Sequence, residues 1–154
     1  MKKPLLISAC LLGIPCRYDG KVKTGVFGKN ALTLDVFLPY LEEKYTLVPY
    51  CPEIYGGLPT PRIPSERLGD KVIGRDGRDV TDEYLRGAVN GVALCHTLGI
   101  EVALTKAKSP ACGKGRIYNG THTGTLTIGN GVLVDALIDA GIAVCNEEEA
   151  DTLL

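Results

Sequence analysis

The sequence has no apolar run that approaches the roughly 18 residues expected of a membrane span. It also has no excess of charge of one sign, because 17 Lys and Arg residues against 18 Asp and Glu residues give a formal net charge of −1. A balance of this kind lacks the excess of positive charge that is typical of nucleic-acid-binding proteins. We therefore expect neither a membrane nor a nucleic acid as a partner.

Several catalytic signatures are missing too. There is no Gly-x-Gly-x-x-Gly, no phosphate-binding loop and no Gly-x-Ser-x-Gly sequence, which argues against dinucleotide binding, phosphate-loop chemistry and serine hydrolysis. There is no Cys-x-x-Cys pair, and His96 and His122 do not form the His-Glu-x-x-His pattern of zinc hydrolases. The six cysteines are many for a cytosolic chain but too few for a small secreted disulfide scaffold. The role of these cysteines is therefore the first question that the chain poses.

Apolar, strand-like runs alternate with helical patterns along the chain. The predicted strands cover residues 5–9, 46–50, 101–105 and 142–145, and the predicted helices cover 32–44, 81–98 and 131–140. This alternation predicts an open, mostly parallel, three-layer α/β sheet of the Rossmann-like or flavodoxin-like type. We expect a single domain over residues 1–154, with long loops at the carboxyl edge of the strands.

The segment 81–98 is the clearest helix. Thr81 is its expected N-cap and Gly99 its expected C′ residue. The helical period predicts an apolar stripe made of Leu85, Ala88, Val92 and Cys95. Cys95 is thereby explained by core packing, and we favour packing for Cys145 as well. Shortly before this helix, an Asp-Gly pair predicts a turn at 75–77 within an edge hairpin.

The N-terminal segment MKKPLLISAC is similar to a short lipoprotein signal. Its apolar part, Pro4 to Ala9, is shorter than the 7–15 residues or so that a signal sequence needs. The same residues suit a first β-strand. We therefore predict a strand here and a cytoplasmic protein.

Three cysteines lie just after predicted strands: Cys10, Cys51 and Cys112. In an open parallel sheet the carboxyl ends of the strands meet at one edge, where ligands bind. Three soft thiolates from distant parts of the chain are therefore expected to converge, which favours a metal or iron–sulfur centre over a disulfide scaffold. Positive charge near Cys112 is expected to lower its thiol pKa, through Lys106, Lys108 and Lys114.

Two polar residues beside these cysteines are candidates for catalysis. Glu53 lies two residues after Cys51 and is a candidate general base. A structural ion pair between Glu53 and Arg62 is the alternative, which the residue types alone favour slightly. Ser109 is a candidate for orienting a water, or it makes only a turn hydrogen bond before Pro110.

The loop after the first strand offers candidates for substrate binding. Its Arg17, Tyr18 and Asp19 could hold a polar, planar substrate, or they could form ion pairs that brace the loop. Arg62 and Asn119 are further candidates, although Asn119 and the glycine after it are most simply a turn.

Three sequence blocks make the chain recognisable: SACLLGIPCRYDG, CPEIYGGLPTPRIPSE and KSPACG…IYNGTHTG. Together they resemble a small bacterial family, formerly a domain of unknown function and now linked to thiouracil desulfidase. The resemblance covers essentially the whole chain, and the blocks fall in the family's order. It implies a 4Fe-4S cluster held by only three cysteines, which are Cys10, Cys51 and Cys112 here.

The resemblance also assigns the catalytic glutamate and serine to Glu53 and Ser109. Many relatives have Ser-Pro-Ser-Cys-Gly where this chain has Ala111 in the middle position, a change that spares Ser109. Cys16 is either a thiol near the site or a spare ligand for the time when the cluster is lost, as in protein prepared in air.

The implied activity is a desulfuration without net electron transfer. With three cysteine ligands one iron keeps an open position and acts as a Lewis acid, for which a thiocarbonyl sulfur is a suitable soft ligand. Water then replaces the sulfur of a thiolated pyrimidine such as thiouracil, giving the oxo base and sulfide. The implied partners are a small thiolated base or nucleoside and the iron–sulfur assembly machinery.

Two alternatives remain at this point. One is a zinc or redox-thiol enzyme that uses the same cysteines, and the other is a non-catalytic iron–sulfur sensor or sulfur-transfer protein. Metal analysis and visible absorption of anaerobically purified protein test the first. Turnover of a thiolated base with stoichiometric sulfide release tests the second.

Overall fold

A computed structural model describes all 154 residues. The strands are β1 (Lys3–Ser8), β2 (Tyr45–Tyr50), β3 (Ser65–Leu68), β4 (Lys71–Gly74), β5 (Val102–Thr105), β6 (Arg116–Tyr118), β7 (Leu126–Ile128) and β8 (Ala143–Asn146). The α-helices are α1 (Leu34–Lys44), α2 (Pro52–Tyr55), α3 (Thr81–Leu98) and α4 (Val132–Asp139), and 3₁₀ helices cover Ala9–Leu12 and Glu147–Leu153. No candidate for a membrane-spanning segment is found among the helices.

The four strands predicted from apolar runs form one parallel sheet in the order β2-β1-β5-β8. Side chains along each strand alternate between two cores. Leu6 and Ala103 face the core that contains residues of α3 and α4, whereas Leu5, Ile7 and Leu104 face the core that contains residues of α1 and the C-terminal 3₁₀ helix. The sheet therefore lies between two helical layers, and the predicted three-layer α/β fold is confirmed.

The ends of α3 agree with the prediction only in part. Gly99 ends the helix in the left-handed region, with φ +67°, as expected of a C′ residue. At the other end the helix begins at Thr81, but the Thr81 hydroxyl does not cap it. That hydroxyl oxygen accepts the Val72 N–H at 2.9 Å, and the Asp79 carboxylate accepts the Thr81 N–H instead. Thr81 therefore joins the helix to β4, and Asp79 takes over the capping role.

The buried face of α3 is one position away from the predicted stripe. Leu85 is half exposed, and the buried residues are Tyr84, Gly87, Ala88, Gly91 and Cys95. The two glycines explain the difference, because they allow neighbouring backbone to lie against the helix. A Cβ at Gly87 would lie 2.1 Å from the Pro52 carbonyl oxygen, and one at Gly91 would lie 2.7 Å from a Leu133 methyl carbon. α2 consequently packs directly on α3, which fixes the position of the residues that follow β2.

Two small antiparallel hairpins complete the fold, β3–β4 and β6–β7. The predicted turn at 75–77 is present, since the Gly77 N–H donates to the Gly74 carbonyl at 2.9 Å. It closes only an isolated bridge between Ile73 and Asp79, because β4 pairs with β3 on its other side. The predicted edge hairpin is thus corrected to β3–β4, joined through Gly69. The β6–β7 hairpin, with strands of three residues each, was not predicted.

Gly87→Ala should destabilise the protein by about 1–3 kcal/mol, the usual cost of overpacking. The added methyl group would overlap the Pro52 carbonyl and push α2 away from α3. A thermal melt should show a drop of a few degrees, whereas Val89→Ala on the exposed face of α3 should leave the melting temperature nearly unchanged. Equal melting temperatures for Gly87→Ala and the wild type would contradict this account of the α2–α3 contact.

Candidate active site

The ends of three neighbouring strands bring three cysteines to one edge of the sheet. Cys10 lies in the 3₁₀ helix that directly follows β1, Cys51 directly follows β2, and Cys112 lies in the loop after β5. Because β1 lies between β2 and β5, the loops that carry these cysteines are adjacent. Cys51 and Cys112 are only 7% and 5% exposed, so both thiols are withdrawn from solvent.

A fourth thiol, Cys16, lies among them. Ala9, Cys16 and Cys51 form a small buried cluster against which the partly buried Cys10 packs, and the Cys16 thiol contacts the thiols of Cys10 and Cys51. Cys112 is near enough for ionised Cys51 and Cys16 to raise its pKa. All six cysteines of the chain are free thiols. Sequence reasoning had named Cys16 as a thiol near the site or a spare ligand, and its thiol contacts those of Cys10 and Cys51, two of the proposed ligands.

The electrostatics of the cluster oppose ionisation. Burial raises the pKa of Cys112 well above its usual value, and the Glu53 carboxylate adds to this effect. A hydrogen bond with Cys16, together with burial, raises the pKa of Cys51, and a hydrogen bond with Cys10 raises that of Cys16 to about 11. Thiols in this state remain protonated at neutral pH until a positively charged centre compensates their charge. The donor set therefore suits a positively charged metal centre that binds thiolates.

The prediction that nearby lysines lower the pKa of the Cys112 thiol is wrong. Lys106 pairs with Glu147 at 2.8 Å and Lys114 pairs with Glu149 at 3.1 Å, so that their charge is largely balanced. The pKa of Cys112 is raised, not lowered.

The thiols do not form a compact site for one ion. No three His, Cys, Asp or Glu side chains converge closely enough to hold a single metal ion. A structural zinc site draws four ligands to about 2.0–2.3 Å from one ion.

Glu53 and Arg62 form a buried ion pair at this edge. Arg62 Nη2 lies 2.8 Å from Glu53 Oε2, and the two side chains are 8% and 13% exposed. The Cys51 thiol also approaches Oε2, at 3.6 Å. Burial raises the pKa of Glu53, although the Arg62 charge opposes the shift. The ion pair expected as an alternative is thus present, and the carboxylate that it holds lies beside the thiols.

The Ser109 hydroxyl supports the loop that carries Cys112. Its Oγ accepts the backbone N–H groups of Ala111 and Cys112, each at 3.1 Å. The turn hydrogen bond considered from the sequence is therefore present. Both lone pairs of the oxygen are engaged, so only the hydroxyl proton remains for a water or a substrate.

The remaining candidates for substrate binding make most of their contacts within their own loops. Arg17 pairs with Asp19 at 3.3 Å and lies over the Tyr18 ring, 5.8 Å from its centroid. Tyr18 is joined to the site through its backbone, because its carbonyl accepts the Arg62 N–H at 2.7 Å. The Asn119 side chain accepts hydrogen bonds from Thr121 within the β6–β7 loop and makes none with the thiols.

Sequence reasoning missed Ser8 and Tyr84. The Ser8 hydroxyl accepts the Lys106 N–H at 3.0 Å and hydrogen-bonds to the Cys112 thiol, an interaction that lowers the thiol pKa against the effect of burial. Tyr84 is buried on α3. Burial raises the pKa of Tyr84, and the nearby Glu53 carboxylate raises it further. Strand alternation could have indicated Ser8, since it shares a sheet face with Leu6. Nothing in the local sequence indicates Tyr84, whose position depends on the packing of α2 against α3.

Thiols and a carboxylate, most of them buried, lie at the carboxyl edge of a parallel α/β sheet, where thiolates are available to bind a metal centre. The chain belongs to the 2-thiouracil desulfurase family, whose model matches residues 5–149. A solved structure described as the [4Fe-4S]-dependent thiouracil desulfidase TudS is 41% identical, with a TM-score of 0.85, and the match covers 99% of this chain and 95% of that one. The uncharacterized protein YbbK of Bacillus subtilis (strain 168) is 34% identical over 160 residues, covering 97% of this chain and 99% of YbbK. The family resemblance inferred from the sequence is confirmed.

Proposed function

We propose that this protein is an iron–sulfur-dependent desulfidase that removes sulfur from a thiolated pyrimidine and releases it as sulfide. Water supplies the oxygen of the oxo product. The observation that carries this proposal is the position of Cys10, Cys51 and Cys112 after three adjacent strands, with Glu53 beside Cys51, in a chain of the 2-thiouracil desulfurase family.

Cys10, Cys51 and Cys112 are the proposed cluster ligands. They come from three adjacent strand ends, Cys51 and Cys112 are buried, and this placement supports a centre that several thiolates bind together. When bound, a 4Fe-4S cluster with three cysteine ligands supplies an open iron position that acts as a Lewis acid towards a soft thiocarbonyl sulfur.

Glu53 is the proposed general base. Arg62 and Cys51 both donate hydrogen bonds to its Oε2, whereas no residue donates one to Oε1. Oε1 is thus the atom available to accept a proton from the attacking water. The pKa raised by burial brings the carboxylate closer to the range in which proton transfer is efficient. Arg62 keeps the side chain in place and supports its ionised form.

Ser109→Ala should retain the cluster and lose desulfuration rate, by a smaller factor than a change at Glu53. The hydroxyl proton is the part of Ser109 that remains for orienting a water, and the alanine removes it. The variant should also lose about 0.5–2 kcal/mol of stability, because the N–H groups of Ala111 and Cys112 lose their acceptor. Iron content, melting temperature and sulfide release, measured on one preparation, separate the two effects. A full rate per cluster in Ser109→Ala would leave Ser109 with a structural role only.

The substrate is a small thiolated base, and we extend this class to thiolated nucleosides. Arg17, Tyr18 and Asp19 are the proposed contacts for the polar part of such a substrate, because the Tyr18 carbonyl is tied to Arg62. We also propose that the iron–sulfur assembly machinery loads the cluster in the cytoplasm, a compartment that suits six free thiols.

The deciding experiment is anaerobic cluster reconstitution followed by incubation with 2-thiouracil. We expect one sulfide and one uracil for each 2-thiouracil consumed, with no added reductant or oxidant. A bound cluster without turnover of any thiolated pyrimidine or nucleoside would favour the sensor or sulfur-transfer alternative. Turnover by a zinc-loaded, iron-free preparation would favour the zinc alternative.

A further inference from the structure

Polar side chains form a row across the carboxyl end of the parallel sheet. Ser8 pairs with Tyr50 between β1 and β2, and Thr105 pairs with Asn146 between β5 and β8. Ser8 and Thr105 directly follow the paired residues of β1 and β5, so the row is continuous. Because side chains alternate along a strand, the row faces the core that contains residues of α3 and α4. It separates this apolar core from the site at the strand ends.

Cys112 lies on the same face of the sheet as this row. It packs in the core that contains Leu6 and Tyr50. Leu6 precedes Ser8 by two residues on the same face of β1, and Tyr50 lies beside Ser8 on β2. The Ser8 hydroxyl hydrogen-bonds to the Cys112 thiol, and the two residues are only 4% and 5% exposed. Packing and strand register thus place Ser8 against one of the proposed cluster ligands, away from water.

The Ser8 hydroxyl is held so that its proton is free for the sulfur. Its Oγ accepts the backbone N–H of Lys106 at 3.0 Å. A serine hydroxyl has one proton in addition to its acceptor lone pairs, and this hydrogen bond uses a lone pair only. A metal-bound thiolate has no proton to donate. In the loaded protein Ser8 is therefore the donor and the Cys112 sulfur the acceptor.

The other members of the row make no hydrogen bond with a proposed ligand. The Tyr50 hydroxyl donates to the Gly87 carbonyl, the Asn146 side chain caps the C-terminal 3₁₀ helix, and the Thr105 hydroxyl has no partner. Ser8 is thus the member of the row that the backbone holds in place and that reaches a ligand.

We propose that Ser8 is a positioning residue whose hydroxyl donates a hydrogen bond to the Cys112 sulfur and thereby raises the reduction potential of the cluster. This inference rests on the proposed function. Hydrogen bonds to the sulfur atoms are among the factors that set the potential of iron–sulfur clusters. A donor withdraws negative charge from the thiolate, so it stabilises the reduced cluster and makes oxidation harder. The same withdrawal of charge leaves the iron a stronger Lewis acid towards a thiocarbonyl sulfur.

The test compares anaerobically reconstituted wild type, Ser8→Ala and Ser8→Thr, with Tyr50→Phe as the matched control. Iron content is measured first, and the midpoint potential of each cluster is then determined by a redox titration followed by electron paramagnetic resonance. Ser8→Ala should have a more negative potential than the wild type, and Ser8→Thr, which keeps a hydroxyl, should restore it. Tyr50→Phe removes a buried hydrogen bond from the neighbouring strand, so it should lower the melting temperature without changing the potential.

Resonance Raman spectroscopy gives a second readout that needs only the wild type. When an exchangeable proton is hydrogen-bonded to a ligand sulfur, transfer to deuterium oxide shifts the iron–sulfur stretching bands. We expect such a shift in the wild type and a smaller one in Ser8→Ala. The absence of any shift in the wild type would overturn the proposal, even if Ser8→Ala took up no cluster.

Equal potentials for Ser8→Ala and the wild type, or an equal change in Tyr50→Phe, would also overturn the role of Ser8. If that wild type still released sulfide from 2-thiouracil, the proposed function would stand and the role of Ser8 alone would fall. A wild type that takes up no four-iron cluster would overturn both.

Discussion

Glu53→Gln should lower sulfide release roughly 10²–10⁴-fold while leaving the iron content unchanged, the usual range for loss of a general base. Glutamine keeps the size of the side chain and can still accept a hydrogen bond from Arg62, but it cannot take a proton from water. The measurement is sulfide release per bound cluster, with Glu42→Gln on the exposed face of α1 as the control that should keep full activity.

The pH profile gives this prediction a second readout. Because burial raises the pKa of Glu53, the wild-type rate should fall with decreasing pH earlier than an exposed glutamate would cause. This acid limb should vanish in Glu53→Gln. If Glu53 only anchors Arg62, the variant would instead lose stability and keep its rate per cluster, with an unchanged pH profile.

Cys112→Ala should abolish cluster binding. Cys112 is the only one of the proposed ligands that comes from the loop after β5, so its loss leaves the centre open on that side. Iron, acid-labile sulfide and visible absorption after reconstitution should all fall to background.

Cys95→Ala and Cys145→Ala provide the matched controls for this experiment, since both remove a buried thiol from a hydrophobic core. They should take up the full complement of iron, with a loss of stability as their only effect. Cluster loss in either control would show that the proposed ligand set is wrong.

The sheet could be predicted from the sequence because the relevant signals are local. Four apolar runs define the parallel strands, and their order along the chain places Cys10, Cys51 and Cys112 just beyond strand ends. The buried face of α3 could not be predicted from apolar periodicity, because Gly87 and Gly91 are buried by the close approach of Pro52 and Leu133. The signal there is the absence of a side chain, which a hydrophobic pattern does not register.

Ion pairs between distant parts of the chain limit how much of the site could be predicted from the sequence. The Glu53–Arg62 pair could be anticipated, since both residues belong to one loop region. The neutralisation of Lys106 and Lys114 could not, because their partners Glu147 and Glu149 lie in the C-terminal 3₁₀ helix, which returns to the same edge after β8. The pKa of Cys112 is raised rather than lowered chiefly because the thiol is buried, with the Glu53 carboxylate adding to the effect.

Arg62 joins the two long loops at this edge of the sheet. It binds the first long loop at the carbonyls of Cys16 and Tyr18 and the second at Glu53, so neither loop can move away without breaking contacts with the other. The two loops should therefore behave as one cooperative unit in local unfolding, with amide hydrogens in both exchanging at a common opening free energy.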